Sequence, residues 1–97
     1  MADGKEKGVR MFRYKKGIPL DYNTQGYVYF LSRRYDRLSE REKRKVRRLC
    51  QIAGKEHAEA VLDAVTGKGD PAAICARHYL SQSSLERKIK KYYMLWK

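Results

Sequence analysis

Apolar positions recur at helical spacing through most of the chain, and residues 1–22 show no such period. That first stretch carries Gly4, Gly8, Gly17 and Pro19 and reads as a flexible basic arm. Asn23 or Thr24 is placed to cap a helix running to about Leu38, with Tyr27, Phe30, Leu31 and Leu38 on one face. The run 27–30 is also strand-like in propensity. Ser39 is followed three residues later by Glu42, a capping-box signature, and Val46, Leu49, Cys50 and Ala53 then repeat helically up to a stop at Gly54. A helix over 55–66 would turn Ala58, Val61, Leu62 and Val65 inward and break at Gly67, Gly69 and Asp70. Asp70 and Pro71 open a short helix to about Tyr79. Ser81 or Ser83 caps the last, in which Leu85, Ile89, Tyr92 and Trp96 make one apolar stripe. The pattern predicts an all-α fold of four to five helices, with a basic arm over 1–22 and a single helical domain over 23–97.

Charge narrows the partners. The 97 residues hold 23 Lys and Arg against 11 Asp and Glu, a formal net charge of +12. A compact chain of that charge repels itself until a polyanion neutralises it, and nucleic acid is the commonest one. Residues 1–48 carry 15 basic and six acidic side chains, against eight and five in 49–97. Much of the excess is a stripe on the second helix, Arg41, Arg44, Lys45 and Arg48, with Glu40–Arg44 and Glu42–Lys45 available for local pairing. In the arm, Arg10, Arg13, Lys15 and Lys16 are interleaved with Met11, Phe12 and Tyr14, which suits either phosphate or minor-groove contact or a solubilising tail. An anionic membrane surface is the rival polyanion, but the longest apolar run, 27–31, is too short to span a bilayer. Residues 1–16 lack the apolar stretch of a secretory signal, and two cysteines fit a reducing compartment, so a cytoplasmic location is expected.

The informative segment is 72–92, AAICARHYLSQSSLERKIKKY. A helix-turn-helix needs a small residue where two helices cross, an apolar residue in the turn and apolar residues facing back from the second helix. Ile74 and Cys75 suit the crossing, Leu80 the turn, and Leu85 with Ile89 the return. Gln82, Ser83, Glu86, Arg87 and Lys90 then point outward.

These residues resemble a known pattern. LSQSSLERKIK is similar to the second half of the helix-turn-helix in the arabinose-regulator family of bacterial activators, matched by Leu80, Ser81, Ser83, Leu85, Arg87, Ile89 and Lys90. The wider arrangement over 56–93 resembles small phage and mobile-element regulators, and LSEREKRKVRRL over 38–49 is similar to the helix opening the promoter-binding domain of sigma factors. Tyr79 stands where the family places Gly, which implies a different turn or a backbone strained there. Cys75 replaces the usual Ala at the crossing.

The resemblance implies a helix-turn-helix at 71–93 whose last helix enters the major groove of duplex DNA, in a small bacterial, phage or mobile-element transcriptional regulator. Gln82 could pair with adenine and Arg87 with guanine, and Ser83 and Ser84 are short enough to approach base edges or phosphates. Lys68, Lys88, Lys90 and Lys91, with Arg41, Arg44 and Arg48, would hold the backbone.

Other readings meet these residues less well. Cys50, His57, Cys75 and His78 suggest zinc, but the Cys50–His57 spacing belongs to no common zinc motif and Cys75 is needed at the crossing. Two buried thiols, two solvent-facing imidazoles and no metal or other cofactor are expected. Glu56, Glu59 and Asp63 share a helix face read as solvated or used against a partner, and nothing suggests an enzyme: there is no glycine-rich phosphate loop, nucleophile elbow or apolar carboxylate pair. The alternatives to DNA are a protein-interaction module or inhibitor acting on RNA polymerase or a nucleic-acid-loaded complex, and an RNA binder stacking bases on Tyr27, Tyr29, Tyr92 and Tyr93. A homodimer would supply a second recognition helix, with Tyr93, Met94 and Trp96 as candidate contacts.

Overall fold

The computed structural model describes Lys15 and residues 17–96. These form five α-helices and two short 3-10 turns, and no strand occurs among the described residues. The helices are α1 (Tyr22–Arg33), α2 (Glu40–Gly54), α3 (Ala58–Thr66), α4 (Pro71–His78) and α5 (Gln82–Met94). The all-α fold expected from the hydrophobic pattern is the fold that forms. Residues 1–14 and Lys16, most of the expected basic arm, lie outside the described residues.

Local capping chemistry sets three of the helix starts where the sequence places them. The Ser39 hydroxyl accepts from the Glu42 amide at 3.2 Å while the Glu42 carboxylate accepts from the Ser39 amide at 3.2 Å, closing the capping box of α2. The Asp70 carboxylate accepts from the Ala73 amide at 2.8 Å, with Pro71 in the first turn of α4. Ser81, rather than Ser83, caps α5 by accepting from the Ser84 amide at 3.1 Å.

Helix α1 departs most from its sequence reading. Its cap is Asp21, which accepts from the Thr24 amide at 2.7 Å, so neither Asn23 nor Thr24 caps it. It stops at Arg33, and a 3-10 turn at Tyr35–Arg37 carries the chain on to Leu38. The strand-like run is helical because a capped helix with one buried face outweighs β propensity. That face is Gln25, Val28 and Ser32, not the aromatic one, and Tyr27 and Phe30 remain 59% and 47% exposed. Two polar side chains face inward because each finds partners there. The Ser32 hydroxyl lies 2.7 Å from the Tyr92 hydroxyl, and Gln25 is fully paired as described below.

The core has two parts. In the larger, Val28 of α1, Val46, Leu49 and Cys50 of α2, and Val61 of α3 enclose Tyr92 of α5, which is wholly buried. In the smaller, Ala60, Ile74, Cys75 and Leu85 pack α3, α4 and α5 together, with Ala64, Leu80 and Ile89 at its edge. Helix α3 therefore uses both faces, with Ala60, absent from the inward set read in the sequence, buried in the smaller part.

Gly54 does not end α2 through a positive φ. That conformation falls on Lys55 (φ 52°), whereas a Cβ on Gly54 would sit 2.9 Å from Val61 Cγ2, so it is the close approach of α3 that needs glycine. Gly67 does take the left-handed conformation (φ 79°) that closes α3.

Candidate nucleic-acid interface

The small core fixes α5 against α4. Ile74 and Cys75 meet Leu85, with Leu80 and Ile89 packed alongside, which is the docking the sequence spacing called for. The turn between the helices, residues 79–81, depends on Tyr79, whose φ of 59° and ψ of 53° put it in the left-handed region. That conformation lets the Leu80 amide reach back to the Cys75 carbonyl at 3.2 Å, the hydrogen bond that closes a helix of this kind, while Leu80 packs on the small core. A non-glycine residue holds this conformation at a cost of about 1 kcal/mol or more. Of the two readings of Tyr79, the strained backbone is therefore the correct one.

With Leu85 and Ile89 turned inward, the opposite side of α5 is open. Gln82, Ser83, Glu86, Arg87, Lys90 and Lys91 are exposed, and Ser84 and Lys88 are half-buried. The Ser84 amide is taken by the Ser81 cap. Lys88 lies toward the junction of α2 and α3. The Glu56 carboxyl is held below the usual range first by a hydrogen bond from the Glu56 backbone and next by the charge of Lys88.

One edge of this open side is walled by the segment before α1. Lys15, Gly17 and Ile18 border the same cleft as Ser83, Glu86, Arg87 and Lys90. Gln25 holds the segment there. Its amide nitrogen donates to the carbonyls of Lys15 (2.9 Å), Ile18 (3.1 Å) and Leu20 (3.2 Å), and its carbonyl accepts from the Lys15 amide at 2.9 Å. Ile18 is buried in the main core. The expected flexible arm thus ends in an anchored turn, because a buried glutamine satisfies backbone groups that would otherwise need water.

The α2 stripe divides by partner. Arg41, Arg44, Lys45 and Arg48 face outward and line a shallow basic groove with Arg47 and Gln51. Arg47 donates to the Tyr35 hydroxyl at 2.6 Å, and Lys43 stands 5.7 Å from the Tyr35 ring centroid. Glu40 reaches Lys43 at 3.9 Å and Glu42 turns back to the cap, so the pairs expected with Arg44 and Lys45 do not form. Lys45 lies 4.6 Å from the centre of the Trp96 ring, which ties the basic stripe of α2 to the turn that follows α5.

Several expected residues have other engagements. Lys68 pairs with Asp36 at 3.2 Å, which draws it away from a free phosphate-binding role. Asp63 is not a solvated carboxylate. Its Oδ2 meets Arg77 Nη2 at 3.0 Å and His78 Nε2 at 2.9 Å, linking α3 to α4. Partial burial would raise the Asp63 pKa, but the hydrogen bonds and charges of His78 and Arg77 outweigh it and hold the carboxyl below its ordinary value. His78 is consequently half-buried, as is His57, and neither is the solvent-facing imidazole expected.

Tyr93 is buried, and Trp96 is in edge contact with Tyr27 and Tyr92 at 6.1 and 6.2 Å, so the expected dimer contacts are largely spent within the chain. Burial likewise removes Tyr92 and Tyr93 from any base stacking and pushes the Tyr92 hydroxyl up to about 12. Cys50 and Cys75 are both buried and belong to different parts of the core, and burial raises the Cys50 thiol to about 12. No three metal-ligating side chains converge among the described residues, and no helix there is long and apolar enough to cross a membrane.

The open face gathers Gln82, Ser83, Arg87, Lys90 and Lys91, with Lys88 at its edge, while Arg41, Arg44 and Arg48 form a separate strip on α2. Sequence reasoning missed Lys15 and Tyr79 as neighbours of this face. Only the left-handed turn at Tyr79 had a sequence signal, the missing glycine. Comparison of the chain with family models, curated proteins and solved structures gives no match.

Proposed function

We propose that this protein binds duplex DNA in a sequence-specific way, as a small cytoplasmic transcriptional regulator of bacterial, phage or mobile-element type, with α5 as the recognition helix. One observation carries the reading: α5 is docked through Leu85 and Ile89 while Gln82, Ser83, Arg87 and Lys90 stand open to solvent on its other side. A polar, cation-bearing helix face of this kind fits a major groove, where Gln82 matches the edge of adenine and Arg87 that of guanine. Lys88, Lys90, Lys91 and the Arg41–Arg44–Arg48 strip supply phosphate contacts, which set register but carry no sequence information. The net charge of +12 supplies the long-range attraction.

The test is selection of bound duplexes from a random DNA library, followed by titration of the recovered sequence at two salt concentrations. Affinity should fall steeply with salt, with a slope equivalent to about five phosphates or more. Arg87→Ala should cost about 1–3 kcal/mol on the selected sequence and flatten its preference over scrambled DNA, with melting temperature unchanged. Equal weakening on every sequence would assign Arg87 to the backbone instead. Failure to enrich any sequence would sink the reading.

A further inference from the structure

Tyr79 has a backbone suited to glycine and a side chain that contributes no packing. It occupies the left-handed region at φ 59° and ψ 53°, a conformation glycine adopts freely and tyrosine does not. A fold can tolerate such strain when the side chain is buried in return. Here the residue is 90% exposed, far more than the next large apolar side chain among the described residues, Tyr27, at 59%. With glycine in its place the fold would lose no packing and would gain a relaxed turn. Lys55, the other non-glycine residue with a positive φ among the described residues, lies at the α2–α3 junction and presents a flexible cation rather than a rigid ring.

The position of the ring suggests its purpose. Tyr79 lies two residues before the Ser81 cap, on the turn that delivers the N-terminal end of α5, and close in the chain to exposed Gln82 and Ser83. We propose that Tyr79 is a nucleic-acid contact: its ring lies against a deoxyribose of the strand met by the start of α5, and its hydroxyl donates to a phosphate oxygen. A tyrosine brings a large rigid surface with little conformational entropy to lose, which suits a contact made at a fixed turn. The inference rests on the duplex-DNA reading and deepens it by naming the residue that sets where the turn meets the DNA backbone.

The experiment titrates the full chain and its Tyr79→Gly, Tyr79→Asn and Tyr79→Phe variants against the library-selected duplex, with a thermal melt of each. Tyr79→Gly should melt at a higher temperature than the wild type yet bind about tenfold more weakly, the loss expected for a hydrogen bond to a charged group. Tyr79→Asn, which also tolerates the left-handed region, should lose binding to the same degree, and Tyr79→Phe should fall between. The hydroxyl is neutral, so the salt dependence should stay as in the wild type. A stability gain with a binding loss cannot come from a purely structural role. Wild-type affinity in the Gly and Asn variants overturns the inference while leaving the duplex reading intact, as does a binding loss that merely follows a fall in the folded fraction. A wild-type chain that binds no duplex overturns both.

Discussion

The two ends of α5 are built for different purposes. Toward its C-terminus, Tyr92 and Tyr93 are buried among α1, α2 and α3, and the Tyr92 hydroxyl is matched to Ser32. Toward its N-terminus, Leu85 and Ile89 face the small core, and Gln82, Ser83, Glu86, Arg87 and Lys90 carry amide, hydroxyl, carboxylate and cationic groups into solvent. The main core therefore holds the helix by its far end, and the small core needs to fix only its orientation. Stability and recognition can then vary separately along one helix. Substitutions at the far end should be felt by the whole fold, and those on the open face by binding alone.

Tyr92→Ala tests this most severely. Removing a wholly buried aromatic should cost about 3–5 kcal/mol, enough to unfold much of a domain this small, as followed by denaturant titration. Tyr92→Phe keeps the volume but leaves Ser32 without its partner, and about 1–2 kcal/mol is expected. Should Tyr92→Ala prove no worse than Arg87→Ala in stability, the division of α5 into an anchored and an open end is wrong.

Gln25→Ala sharpens the comparison from the other side of the cleft. It removes an amide whose two N–H groups are shared among three carbonyls, and an oxygen that accepts from the Lys15 amide, at a cost of about 1–3 kcal/mol. Rapid hydrogen exchange at the Lys15 amide should accompany that loss. Unchanged exchange would mean that something other than Gln25 holds the segment.

The smallest effect is expected at Asp63, which ties α3 to α4 through Arg77 and His78. Its folded-state pKa is held below the ordinary value, so the contact stabilises fully above the unfolded carboxylate pKa of about 4 and is lost as pH falls through the lowered one. Asp63→Asn should therefore flatten the fall in stability on acidification below about pH 5, with an effect of about 1 kcal/mol or less at neutral pH because the pair is partly solvated. Melting curves across pH 3–7 would show it, and an unchanged slope would mean that another carboxylate carries the acid sensitivity.

How much could be read in advance varied with the range of the interaction. The starts of α2, α4 and α5 were legible because Ser39, Asp70 and Ser81 bond to amides three residues away, and such chemistry needs no knowledge of the rest of the chain. The small core was legible too, since Ile74, Leu80, Leu85 and Ile89 are brought together by two short helices and one tight turn. Helix α1 was misread for the opposite reason. Gln25 and Ser32 look like surface residues until partners from residues 15–20 and from Tyr92, 60 positions away, come into reach.

By itself, then, the sequence determined the helical class, the capped starts, the basic excess and the apolar positions that dock α5 against α4. Tertiary structure alone decided which face of α1 turns inward, that Asp63 is claimed by Arg77 and His78, and that the segment ending the arm lies beside α5. The physical reason is common to all three. A polar group's position depends on whether a partner waits in the interior, and packing, not periodicity, brings that partner there.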